Sequence, residues 1–78
     1  MVEISRLLED MVRAIVEHPD EVSVTESESG DETVYTLKVA ETDMGMVIGK
    51  HGNIARAIRT VAKAAARITD KKISVEIR

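Results

Sequence analysis

Val47-Ile48-Gly49-Lys50-His51-Gly52-Asn53-Ile54 decides how the rest of the chain is read. An apolar pair leads into two glycines that bracket only two residues, and the segment opens directly into a long amphipathic stretch. Glycines this close together let backbone N–H groups approach an incoming group, because no Cβ stands in the way. A helix behind the loop turns the positive end of its dipole toward the same place, and Lys50 adds a full charge. Such a loop attracts phosphate. A Gly-x-x-Gly on its own is also a common structural turn, so the weight falls on what surrounds it.

Downstream, residues 53–68 read as the longest helix. At 100° per residue, Ile54, Ala57, Ile58, Val61, Ala65 and Ile68 gather on one side, and Arg56, Arg59, Lys63 and Arg67 form a narrow stripe on the other. A charged stripe opposite an apolar one is ordinarily a solvated face. This one is unusual in being all basic, with no glutamate placed for i,i+4 pairing. Arg56, one turn into the helix, lies nearest the loop. Asp70-Lys71 then turns the chain into a strand over 72–77, with Ile73, Val75 and Ile77 alternating on one face.

Upstream, Thr42-Asp43 is placed to cap a short helix over 42–48. Residues 33–40 alternate as a strand with Tyr35, Leu37 and Val39 on one face, and 22–28 form a second strand joined to it through Ser29-Gly30-Asp31. At the start, Ile4, Leu7, Leu8, Met11, Val12 and Ile15 have the spacing of a one-faced helix over 3–17, ended before Pro19. The order is α-β-β-α-α-β in one domain spanning 1–78. Opposite the apolar strand residues stand Ser23, Thr25, Thr36, Lys38, Ser74, Glu76 and Arg78. One sheet face is therefore wet and the other carries the helices. The fold class is α+β: two layers, with a three-stranded mixed sheet in which the last two strands are parallel neighbours.

Composition narrows the function. Seventy-eight residues with no cysteine and one aromatic, Tyr35, give a thin aliphatic core, with a net stability of ~3–5 kcal/mol. No apolar run approaches the length of a membrane span or signal segment, and a cytoplasmic location is expected. The net charge of −3 hides a polarity: residues 1–49 carry three basic and twelve acidic side chains, residues 50–78 eight basic and two acidic. The sign changes at Lys50, inside the glycine loop, which favours an electropositive binding face.

Enzymatic alternatives fail for lack of residues. Gly45-Met46-Val47-Ile48-Gly49-Lys50 has three residues between its glycines instead of the four of a P-loop, and His51 where a Ser or Thr would hold magnesium. His18 and His51 share no metal-ligand spacing with a carboxylate, and His51 has no orienting partner for base catalysis. No catalytic residue, metal, cofactor or small-molecule substrate is expected. RNA-binding surfaces that stack bases on Phe, Tyr or Trp are also excluded, whereas a KH groove holds bases over an aliphatic floor while a glycine loop takes the backbone.

The stretch from Ala40 to Ala66, with Val-Ile-Gly-Lys-x-Gly followed by Ile-Ala-x-Ala-Ile-Arg-Thr, resembles the small bacterial KhpA-type RNA-binding proteins, each a single type II KH domain. The likeness runs the full length of the chain. It implies non-catalytic binding of single-stranded RNA by a post-transcriptional regulator or RNA chaperone linked to cell shape and division. The implied partner is a second copy, or a larger KhpB (Jag-type) RNA-binding protein. Carried onto this sequence, Gly49 and Gly52 are the clamp glycines with Lys50 and His51 between them. Ile48 and Ile54 would touch bases, and Asn53 and Arg56 would line the groove. Met46 and Asn53 stand where relatives often carry basic residues, so modest affinity is expected. Two other readings share these residues: an assembly subunit that uses the fold to dimerise, and a ribosome-maturation factor that meets ribosomal RNA only during assembly.

Overall fold

The alternation in β2 (Glu32–Lys38) organises the core of the computed structural model, which describes residues 3–68 and 70–78. Met1, Val2 and Thr69, part of the expected 1–78 span, lie outside the described residues. Thr33, Tyr35 and Leu37 are buried while Lys38 is exposed. Period-two patterning requires this, since successive side chains leave opposite faces of a strand. β2 is central. β1 (Ser23–Ser29) pairs with it antiparallel, with Val24 opposite Leu37, and β3 (Lys72–Ile77) pairs parallel, with Val75 opposite Tyr35. The mixed sheet and the α-β-β-α-α-β order are those the sequence predicts. The outer face is hydroxyl-rich, with Ser23, Thr25 and Ser27 along β1 left exposed.

α1 (Ile4–Arg13) lays Ile4, Leu8 and Val12 into the core, and α3 (Asn53–Ile68) packs against α1 and β3. A fully buried side chain of this size contributes about 1.5–3 kcal/mol, so Leu8, Val12, Leu37 and Val47, the largest that are fully buried, carry much of the core. No described helix is long and apolar enough to cross a membrane.

Two expected boundaries move for one reason. The helix expected over 3–17 ends at Arg13. Ile15 N–H already bonds the Val12 carbonyl at 3.0 Å, a tighter turn than an α-helix makes. Beyond it, the N–H groups of Glu17 and His18 donate to the two carboxylate oxygens of Asp43 at 3.1 and 3.0 Å. Asp43, buried despite its charge, is therefore not the side-chain cap expected of it. It closes a link across 25 and 26 residues, and the short helix expected over 42–48 becomes a 3₁₀ turn, Glu41–Asp43, followed by α2 (Met44–Ile48).

α3 keeps its expected length but is rotated about its axis. Ala55, Ile58, Ala62, Ala65 and Ala66 are the buried residues, while Val61 is 43% and Ile68 77% exposed. Alanines let the helix backbone approach its neighbours closely, and that close approach outweighs the larger apolar side chains.

Candidate nucleic-acid interface

α2 closes on Val47, fully buried, and Ile48, 41% exposed, so the apolar pair before the loop is split between core and surface. Gly49 follows with φ 76° and ψ 173°, a conformation open essentially to glycine alone. A Cβ at Gly49 would lie 2.7 Å from Ile54 Cγ1 and 2.9 Å from Ile54 Cβ. Gly49 is thus required twice, by its dihedrals and by the side chain behind it. Lys50–Gly52 form a single 3₁₀ turn where a plain loop was expected over 49–52; His51 takes a left-handed φ of 58° and Gly52 one of 71°.

The backbone donors of the loop are only partly free. Gly49 N–H donates to the Gly45 carbonyl at 2.9 Å, Gly52 N–H to Gly49 at 3.1 Å, and Asn53 N–H to Lys50. Lys50 and His51 N–H groups have no acceptor among the described residues. Both side chains are exposed, and no acidic residue occupies the first turn of α3 to offset the positive end of its dipole.

The loop separates two concavities. One, of about 360 Å³, is lined by Ile48, Gly52, Ala55, Arg56, Arg59 and Ile77. It lies between the α2–α3 turn and β3, an edge strand of the sheet. Arg59 Nε donates to the Val75 carbonyl at 3.2 Å, which holds the guanidinium against that strand. Arg56 has no ion-pair partner among the described residues. The arrangement offers an apolar floor, Ile48 and Ile77, beside two guanidinium groups and a glycine. The second concavity, on the other side of the loop, is lined by Ile15, Met46, Gly49, Lys50 and Ile54 among others.

Of the residues the sequence nominates, Ile48, Gly52 and Arg56 come together in the first cleft, and Gly49, Lys50 and Ile54 border the second. His51 and Asn53 are exposed at the turn and line neither. Ile54 is half-buried, packed on the core and against Gly49, so it supports the loop from behind. Ala55, Arg59 and Ile77 complete the cleft without having been nominated. Arg59 stood in the basic stripe; nothing local marks Ile77, which arrives only through the parallel pairing of β3 with β2. No cluster of three or more His, Cys, Asp or Glu able to hold a metal ion occurs among the described residues.

The sequence profile of the KhpA/KhpB KH domain matches residues 5–77. A protein named RNA-binding protein KhpA from Clostridium acetobutylicum is 51% identical over 72 residues, covering 92% of this chain and 96% of the relative. Proteins of the same name from Listeria monocytogenes and Caldanaerobacter subterraneus are 45% and 48% identical over 71 residues, covering 91% of this chain and 93% and 95% of theirs. Among solved structures, Era in complex with MgGDPNP and nucleotides 1506–1542 of 16S ribosomal RNA superposes with a TM-score of 0.66 at 17% identity, over 95% of this chain. A point variant of Aquifex aeolicus Era bound to GDP.AlF4- gives 0.59 at 19% identity, over 99% of this chain. This chain spans 28% and 31% of those Era chains, so that likeness speaks to the fold. With the α-β-β-α-α-β order, the mixed sheet and the glycine turn between α2 and α3 all in place, the chain belongs to the KhpA/KhpB KH-domain family and has the type II KH fold.

Proposed function

We propose that this protein binds single-stranded RNA without catalysis, through the Gly49–Gly52 turn and the cleft beside it. The observation that carries this reading is the pair of unpartnered N–H groups, Lys50 and His51, in a glycine turn whose Gly52 lines a cleft together with Arg56 and Arg59. A phosphate meets those N–H groups, the Lys50 ammonium and the start of the α3 dipole together. Bases then lie over Ile48 and Ile77, against edge strand β3. The name borne by the KhpA relatives, RNA-binding protein, supports the same ligand. Few base-edge donors line the cleft, so sequence preference is weak and affinity modest.

Within this proposal the protein is a cytoplasmic post-transcriptional regulator or RNA chaperone linked to cell shape and division, acting as a homodimer or with a larger KhpB partner. The test is anisotropy of a labelled single-stranded RNA at two salt concentrations, with wild type and the Lys50→Asp/His51→Asp variant. Three cations, Lys50, Arg56 and Arg59, set a slope of log K on log salt of about −2. The exposed double substitution lowers affinity at least tenfold with little change in stability. Equal binding by the variant would reduce the loop to a turn.

A second reading, an assembly subunit with little RNA affinity, is favoured by exposed apolar side chains on the helical layer: Met46 at 55% and Ile68 at 77%. Light scattering on the eluting protein, together with absence of RNA binding by folded wild type, would select it.

A further inference from the structure

α3 and β3 lie side by side beyond the cleft just described. Arg56 and Arg59 stand level with Val75 and Ile77 at one end, and Lys63, Ala66 and Arg67 level with Ile73 at the other. A separate concavity of about 250 Å³ occupies that second end, lined by Glu32, Lys63, Arg67, Lys71, Lys72 and Ile73 among others. Lys72 is paired with Asp31 at 3.4 Å, both exposed. Lys63, Arg67 and Lys71 have no acidic partner among the described residues, and Glu32 is the one carboxylate lining the concavity.

The spacing carries the argument. Arg59, Lys63 and Arg67 follow one another at i,i+4, where like charges destabilise a helix. An ordinary solvated face relieves this with interleaved glutamates, yet α3 contains no acidic residue at all. Glu32 is the one acidic side chain lining either concavity, so α3 itself presents an uninterrupted cationic track. From Arg56 to Arg67 it runs about 16 Å at 1.5 Å per residue, parallel to an unpaired sheet edge of similar length.

We infer that RNA leaving the cleft continues along this α3–β3 seam, its phosphodiesters met by Lys63, Arg67 and Lys71. The bound segment is then longer than the four nucleotides a glycine loop clamps. This rests on the RNA-binding reading above, so the experiment separates the two. Anisotropy is measured for labelled oligouridines of about four and about ten nucleotides, lengths chosen to fill the clamp alone or clamp and seam together. Wild type is compared with Lys63→Gln/Arg67→Gln, and with Lys63→Ala/Arg67→Ala as a second helix-compatible pair. Wild type binds the longer oligomer with a salt slope of about −4, for six phosphates, and the shorter with about −2, for three. Both variants bind the longer oligomer on the order of tenfold more weakly, with a slope of about −3, and the shorter one as wild type does.

Retention of the longer oligomer by folded variants at wild-type strength overturns the seam and leaves the clamp standing. So does equal weakening of both oligomers, which is a general charge effect. Failure of wild type to bind either oligomer overturns the clamp, and the seam with it.

Discussion

Gly49→Ala tests the loop most severely. The substitution puts a Cβ 2.7 Å from Ile54 Cγ1, 2.9 Å from Ile54 Cβ and 3.0 Å from Ile54 Cδ1. It also demands φ 76° with ψ 173° of an alanine. The dihedral strain costs about 1–3 kcal/mol and the overpacking about 1–3 kcal/mol. Loss of unfolded-chain freedom returns about 0.4–1 kcal/mol. The net expectation is about 3 kcal/mol, most of the ~3–5 kcal/mol that a domain of this size has to lose. Gly52→Ala is the control, because its φ is also positive, 71°, but a Cβ there meets nothing within 4 Å. Left-handed strain of about 1–2 kcal/mol, less the same entropic return, leaves about 1 kcal/mol. Urea unfolding followed by circular dichroism, with the m-value held constant, gives both differences. In Gly49→Ala/Ile54→Ala the clash is eased by removal of Cγ1 and Cδ1, so the pair costs about 1 kcal/mol less than the sum of its singles. Equal costs for Gly49→Ala and Gly52→Ala would refute the reasoning, since both positions have positive φ and only Gly49 has the Ile54 contact.

Three further outcomes follow from single contacts. Asp43→Ala strands the N–H groups of Glu17 and His18 and lowers stability by about 2–3 kcal/mol, whereas Asp43→Asn, which keeps one acceptor oxygen, costs about half that; the urea midpoints rank them. Burial raises the Tyr35 phenol above its usual 10.0, and the Glu26 and Glu28 carboxylates push the same way. The unfolded chain therefore gives up its phenolic proton first, and the contribution present below pH 10 is lost as pH rises from there through the folded value. Ultraviolet titration should put the native midpoint above that of the urea-unfolded chain, and Tyr35→Phe should remove this part of the alkaline stability loss. Ile68→Ser, at a side chain 77% exposed, changes monomer stability by less than about 0.5 kcal/mol in dilute solution, as thermal melts will show.

The sequence alone determined the element order, the extent of α3 and β3, the parallel and antiparallel pairings and the loop with its glycines. These rest on local signals: periods of 2 and 3.6, glycine spacing, and a charge reversal at Lys50. Tertiary structure decided the rest. α1 stops at Arg13 because Asp43, distant in sequence, takes the N–H groups the helix would have used, and no window around residue 13 contains that competitor. α3 buries its alanines and exposes Val61 and Ile68 because close approach to α1 and β3 rewards small side chains, a preference that hydrophobicity along one helix does not encode. Ile77 and Arg59 join Ile48 at the cleft, while Ile54 turns behind the loop, because the path of α3 and its contact with β3 set which side chains meet. Local chemistry specified that there would be a glycine turn with backbone N–H donors. Which donors stay free, and which apolar side chains stand beside them, depends on contacts made after the chain has closed on itself.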